Sequence, residues 1–281
     1  MLTAMRAGRS RVPLAGLCVA LAALLLMGNV RAAGWEMRVC ADPTTLPFTA
    51  QDGSGFDNKI AEILAQDLGA HVTYDWHLFN SDMVNLELRE GKCDMIMGVP
   101  DGYDGLLTTL PYYRSPYVFV YRADSGLKVS SLTDPLLAHL RIGLQSYGIL
   151  PQDTLVHEGW QKSIVASYEG DNTIPDHLGK IITAVVNKDV QLGIAWGPVA
   201  GYFASRQPVK LDIVTVTPEI DDNGNVMSEA MTIAVRVGDT SLRDDLDRAL
   251  ADRWDEIQAV LKQYHVPLES VPRPVAPKGL P

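Results

Sequence analysis

Between Arg38 and Arg122 the chain switches between strand and helix periodicity in an order that few folds accept. Met37 to Ala41 reads as a strand, ended by Asp42-Pro43. Asp57 is placed to cap a helix whose apolar face is Ile60, Ile63, Leu64 and Leu68, with Gly69 as its stop. Val72, Tyr74 and Trp76 alternate as a second strand. Ser81 or Asp82 starts another helix that carries Val84 and Leu88 and ends at Gly91. Met95 to Val99 is nearly all apolar, which suits a parallel strand covered on both faces. Such a βαβαβ run closes with one hand, so the loops that follow its strands lie along one edge. Ligands of open α/β sheets bind at that edge.

The rest of the chain repeats this grammar without a fixed internal period. Tyr117 to Tyr121 is a further strand, and Ala123-Asp124-Ser125-Gly126 a crossover. A second α/β unit follows, with strands at Arg141–Leu144, Leu192–Trp196 and Ile213–Val216 and a helix at Lys180–Asn187. Met231 to Val237 returns the chain to the first unit. Ser241 to Tyr264 carries an apolar stripe at steps of three and four, from Leu242 through Trp254 to Leu261, and reads as one long helix. The expected domains are therefore 33–124 with 230–270, and 125–229, followed by a proline-rich disordered tail at 271–281.

Residues 1–32 read as an export signal that is removed. Arg6, Arg9 and Arg11 precede an apolar run from Val12 to Met27, and Val30-Arg31-Ala32 offers small residues for a cut after Ala32. That run is shorter than the roughly 20 residues a membrane span needs, and no later run is long enough. The expectation is an exported protein with no span after cleavage. The formal charge of −10 becomes more negative once the leader removes its arginines. A chain this acidic repels phosphate, which excludes nucleic acid and anionic membranes as partners and favours a basic protein. Of three cysteines, Cys18 leaves with the leader. Cys40 and Cys93 flank strands expected to be neighbours and suggest one disulfide in an oxidising compartment, with a pair of buried thiols as the alternative.

Loops at the expected edge supply the site candidates. Asp42 and Phe48 frame the first loop, as a hydrogen-bond acceptor and a ring to lie over a ligand, or as a turn with a half-buried aromatic. Pro100, Asp101 and Tyr103 follow the third strand, as a cleft loop or a simple reversal. Ser146 and Tyr147 lie in a glycine turn whose amides are placed to hold an anion at a helix start. Trp196 offers a flat apolar wall or an interdomain filler, with Tyr202 beyond it. Asp221-Asp222-Asn223-Gly224-Asn225 has a superficial likeness to a calcium loop but carries Val226 and Thr232 where such loops need Gly and Glu, so a turn is expected. Asp244, Asp245 and Asp247 read as a solvated helix face. No HExxH, GxSxG or phosphate loop is present, and no cofactor or metal is expected.

With those residues in place, the chain resembles the two-domain periplasmic solute-binding proteins of the amino-acid type. Gly55-Phe56-Asp57, Asp94 of the GKCD run and Pro111-Tyr112-Tyr113 are marks of that superfamily. The resemblance implies an α/β, type II periplasmic-binding-protein clamshell with a cleft between its domains. Two departures decide what enters the cleft. The superfamily often carries an arginine after the third strand, as part of TxER, to grip an α-carboxylate, and this chain has Pro100-Asp101-Gly102-Tyr103-Asp104 there. An aspartate of the second domain often holds the α-amino group, and its place falls on Trp196. A zwitterion would bury both charges unpaired, at several kcal/mol.

A closer resemblance is to the MoxJ and XoxJ proteins, encoded beside dehydrogenases that use pyrroloquinoline quinone (PQQ). Arg38–Phe48, Cys93–Asp104, Thr108–Arg122 and Trp196–Phe203 carry it. That resemblance implies a non-enzymatic periplasmic accessory protein that binds or activates a PQQ methanol or alcohol dehydrogenase. The alternatives are a transporter receptor for a small non-zwitterionic solute, and a dehydratase-like enzyme using Asp42 or Asp101 as general acid.

Overall fold

The computed structural model describes residues 34–78, 87–146, 148–171, 173–174 and 176–275. In chain order the strands are β1 (Glu36–Ala41), β2 (His71–Trp76), β3 (Met95–Pro100), β4 (Leu107–Thr108), β5 (Tyr113–Arg122), β6 (Ile142–Leu144), β7 (Ile164–Ser167), β8 (Leu192–Trp196), β9 (Leu211–Thr215) and β10 (Ser228–Val235). The helices are α1 (Phe56–Leu68), α2 (Leu150–His157), α3 (Lys180–Asn187), α4 (Gly197–Ala204), α5 (Thr240–Asp252) and α6 (Trp254–Gln263).

β1 runs parallel to β2 on one side and β3 on the other, the pairing expected for the apolar runs at both ends of the first α/β unit. α1 covers them with Ile60, Ile63 and Leu64 buried, and Gly69 ends it in the left-handed region. Its start differs from the sequence reading. Gly55 occupies the cap, and the Asn58 side chain accepts hydrogen bonds from the amides of Gly55 and Ala50 at 3.1 and 2.9 Å. Asp57 is the second residue of the helix, and its carboxyl turns inward to accept from the buried Tyr112 hydroxyl. The helix expected from Ser81 falls largely outside the described residues.

β5 is the element that builds two lobes. Its first half pairs antiparallel with β10, from Tyr113↔Met231 to Pro116↔Ser228. Its second half pairs with β8, from Tyr117↔Trp196 to Val120↔Gly193, and with β9. The handover falls at Pro116, which has no amide to contribute to a ladder. β10 also pairs with β3, so the first sheet runs β2-β1-β3-β10-β5 and the second continues β5-β8-β6-β7, with parallel β6 between β7 and β8.

Cys40 and Cys93 are disulfide-bonded with Cα atoms 5.4 Å apart, and the bridge is buried with Ile96, Val99 and Ala234. The neighbouring Asp94 receives Arg38 through Nε and Nη2, at 3.1 and 2.7 Å, which clamps the start of β3 to β1.

The long C-terminal helix expected from Ser241 is broken at Arg253, whose φ of −102° and ψ of 15° separate α5 from α6. The apolar stripe continues across the break, which explains why the pattern reads as one helix. Asp247 also departs from the solvated face. It is buried, and its Oδ1 accepts from the Leu110 amide at 2.7 Å.

The chain beyond α6 crosses to α4. Tyr264 stacks on Tyr202 with ring centroids 5.7 Å apart and planes 12° apart. A methyl group on Gly201 would collide with the His265 carbonyl, and one on Gly197 with Ser115 Oγ. Ser115 Oγ donates to the Pro267 carbonyl at 2.5 Å, and the Glu269 amide to the Arg114 carbonyl at 2.9 Å. Further on, Arg273 donates to the Ala251 carbonyl at 2.8 Å, so the described part of the expected tail lies against α5.

Candidate functional site

The ends of β1, β3 and β8 meet a cavity of about 400 Å³ walled by both lobes. The first lobe supplies Ala41, Asp42, Thr45, Phe48, Thr49, Asp57, Met97 and Gly98. The second supplies Gln145, Gly170, His177, Leu178 and Trp196. Among the described residues no lysine or arginine reaches this wall.

Asp42 and Phe48 stand where their loop was expected to place them. The Asp42 carboxylate accepts from the Thr44 amide and hydroxyl, both at 2.8 Å, so it orders its own turn while lining the cavity. Its carbonyl receives the Thr49 hydroxyl at 2.7 Å, and Thr49 Oγ1 lies 2.9 Å from Thr45 Oγ1. Phe48 packs edge-on to Phe56, centroids 5.4 Å apart. Trp196 closes the opposite side, edge-on to Tyr117 at 5.2 Å, with its amide donating to Gln145 Oε1 at 2.9 Å.

Other sequence candidates lie elsewhere. Pro100, Asp101 and Tyr103 are not in the wall. The Asp101 amide donates to the Ala230 carbonyl at 2.9 Å, its side chain is exposed, and Tyr103 packs on the cluster around the disulfide. Ser146 is outside the wall, and Tyr147 is outside the described residues. The Gln145 and Gly148 amides are already used, by the Ile194 carbonyl and by Gln152 Oε1, which removes two donors from the expected anion cradle. Tyr202 is 7 % exposed, beneath the Arg206 guanidinium 3.5 Å from its ring centroid, and packs between lobes rather than facing the cavity. The Asp221 loop is a turn. Its carboxylate accepts from Thr154, Asn223 and Asn225, which outweighs burial and holds it at about 2.

Two ionisable wall residues were not read from the sequence as site groups. Asp57 is 2 % exposed, and burial pushes its carboxyl up to about 7, against the pull of the Tyr112 hydroxyl that donates to Oδ1 at 2.7 Å. Its Oδ2 faces Gly98, where an added methyl group would stand 3.2 Å away. His177 is 2 % exposed, and neither ring nitrogen has a hydrogen-bond partner among the described residues. Burial lowers its pKa, with the Asp42 charge across the cavity acting the other way. A methyl group at Gly170 would collide with its ring. His177 lies in a stretch with no helix or strand period, so only the fold could place it. Asp57 carried a local signal, as a helix-start acid, that pointed to the wrong role.

Residues 37–266 match the family of bacterial extracellular solute-binding proteins, family 3. The chain belongs to that family, and its architecture is the two-domain type II clamshell with a cleft between the domains. It is 28 % identical to Protein MoxJ of Paracoccus denitrificans over 272 residues, covering 88 % of this chain and 94 % of that one. A crystal structure of MxaJ from Methlophaga aminisulfidivorans superposes with a TM-score of 0.73 at 25 % identity, over 83 % of this chain and all of that one. The periplasmic binding protein XoxJ from Methylobacterium extorquens gives 0.69 at 29 % identity, over 84 % of this chain and all of that one. No helix among the described residues is long and apolar enough to cross a membrane.

Proposed function

We propose that this chain is a non-enzymatic periplasmic accessory protein of a PQQ-dependent methanol or alcohol dehydrogenase, and that its cleft receives a segment of that partner. The observation that carries the reading is the cavity wall. Its ionisable side chains are Asp42, Asp57 and His177, with no lysine or arginine among the described residues, and Trp196 closes the side opposite Phe48. A free amino acid entering this wall leaves its carboxylate unpaired, at several kcal/mol, so ordinary solute capture is not its task. The similarity to MoxJ and XoxJ across most of the chain supports the same reading. The lobes are taken as 33–124 with 230–270, and 125–229, and the leader 1–32 as the export signal.

The test is titration of the purified mature protein with a PQQ methanol dehydrogenase. Trp196→Ala removes a large cleft side chain and should weaken binding about tenfold or more. Unchanged affinity would count against the cleft as the docking site, and absence of binding by the wild type against the accessory role. A transporter receptor for a small solute is the second reading. It is favoured by the volume of the cavity, which lies within the roughly 300–1,000 Å³ typical of small-molecule sites. The enzymatic alternative loses Asp101, which is outside the wall.

A further inference from the structure

We propose that Asp75, His77 and Glu87 form a site for a divalent transition metal of the zinc class, on the first lobe and outside the cleft. The site is independent of the accessory reading, and none of its three residues lines the cleft cavity.

The chain builds this cluster from two short stretches. Asp75 lies in β2, and the His77 amide donates to the Ala41 carbonyl at 3.0 Å, so the pairing with β1 runs one residue past the strand. Two apart on extended backbone, Asp75 and His77 project from the same face. Glu87 comes from the turn before β3, where the Lys92 amide donates to the Glu87 carbonyl at 3.1 Å. The disulfide holds the two stretches together, since Cys40 is the register partner of Asp75 and Cys93 follows Lys92. One ligand atom from each of the three residues lies within 4.8 Å of the other two.

Geometry separates a metal site from an ion-pair cluster. His77 Nε2 is 3.0 Å from Asp75 Oδ1 and 3.8 Å from Glu87 Oε2. It nevertheless makes no hydrogen bond among the described residues, because the nearer oxygen lies off the line of a ring N–H. A protonated imidazole caught between two carboxylates would aim that N–H at one of them. Tetrahedral ligands bound to a metal at roughly 2.0–2.2 Å instead stand about 3.3 Å from one another, between the two distances seen. One imidazole nitrogen with two carboxylate oxygens suits zinc and its first-row neighbours, whereas calcium takes roughly six to eight oxygens. Three protein ligands leave the fourth tetrahedral position to water.

Lys92 is the competitor for this site. Its Nζ is 2.7 Å from Glu87 Oε2 and 3.3 Å from Glu90 Oε2, and its side chain is 47 % exposed. It sets a positive charge on a metal ligand and is free to turn to Glu90 when an ion enters. Asp75 and Lys92 also line a surface cavity of about 440 Å³, which gives the ion its way in. Both cysteines among the described residues are in the disulfide, so no thiolate there competes for zinc.

The experiment is calorimetric titration of the untagged, disulfide-intact mature protein, stripped with a chelator, with zinc chloride and calcium chloride. One zinc should bind per chain, at least tenfold more tightly than calcium. His77→Ala and Glu87→Gln should each weaken zinc at least tenfold, with folding checked by circular dichroism. The two variants lie on different stretches, so the test survives if one fails to fold. Lys92→Gln removes the competing charge and should tighten zinc at least threefold. Zinc should also raise the thermal midpoint of the wild type and leave that of His77→Ala unmoved. No zinc binding, calcium binding as tight as zinc, affinity unaltered in the folded variants, or Lys92→Gln binding no tighter than the wild type overturns the proposal. None of these outcomes bears on dehydrogenase binding, which tests the accessory reading separately.

Discussion

Replacing Asp57 by asparagine should stabilise the protein at neutral pH and leave it nearly unchanged in acid. The native carboxyl titrates near 7 because burial outweighs the Tyr112 hydrogen bond, whereas in the unfolded chain it titrates at the ordinary 3.8. Between those values the folded state holds a proton that the unfolded state has lost. Stability therefore falls as pH rises from about 4 to about 7 and is level outside that window, so far as this group is concerned. At 1.36 kcal/mol per unit the full loss is about 4 kcal/mol, an upper figure because water in the cavity relieves part of the burial. Asparagine keeps an acceptor for Tyr112 and does not titrate. The assay is urea unfolding of both proteins, disulfide intact, at unit steps from pH 4 to 8. The difference between them isolates position 57, since every other group titrates in both. It should grow by about 2–4 kcal/mol in favour of the variant across the window. A difference constant to within about 0.5 kcal/mol would refute the burial argument.

The remaining predictions concern covalent and steric fastening. Cys40 and Cys93 are 53 residues apart, so replacing both by alanine should lower stability by about 4 kcal/mol in the loop-entropy account, read as a lower urea midpoint. An unchanged midpoint after verified removal of the bridge would contradict that account. Gly201→Ala drives a methyl group into the His265 carbonyl and should lose about 1–3 kcal/mol, whereas Gly53→Ala, with open space around its Cβ, tests the strain of a positive φ alone. Equal effects of the two would show that α4 and the C-terminal segment are not in close contact.

The frame of this fold was legible because its elements are long enough to show a period. The apolar face of α1, its glycine stop and the apolar β3 were visible from residue spacing alone, as was the return of the chain through Met231; that it pairs antiparallel was not. What failed was long-range. Asp57 looked like a cap because acids favour helix starts, and only the arrival of Tyr112 from the far end of the lobe shows its carboxyl pointing inward. Asp247 looked solvated because its neighbours Asp244 and Asp245 set the local composition, while its partner is the Leu110 amide on another element. Tyr103 looked like a cleft residue by position, but it packs on the apolar cluster around the disulfide. Gly197 and Gly201, four apart on α4, did carry a readable hint. Two small residues on one helix face mark a place where another backbone comes close.

That close approach has a consequence for the order of events in synthesis. The segment that lies on Gly197 and Gly201 is His265 to Pro267, near the carboxyl end of the chain. It leaves the ribosome after both sheets have been made, and by then α4 has long been waiting with a bare glycine face. Until those residues arrive, the two lobes share β5 but lack their outer fastening. A chain cut before Tyr264 would hold every described strand of both sheets and lack this fastening.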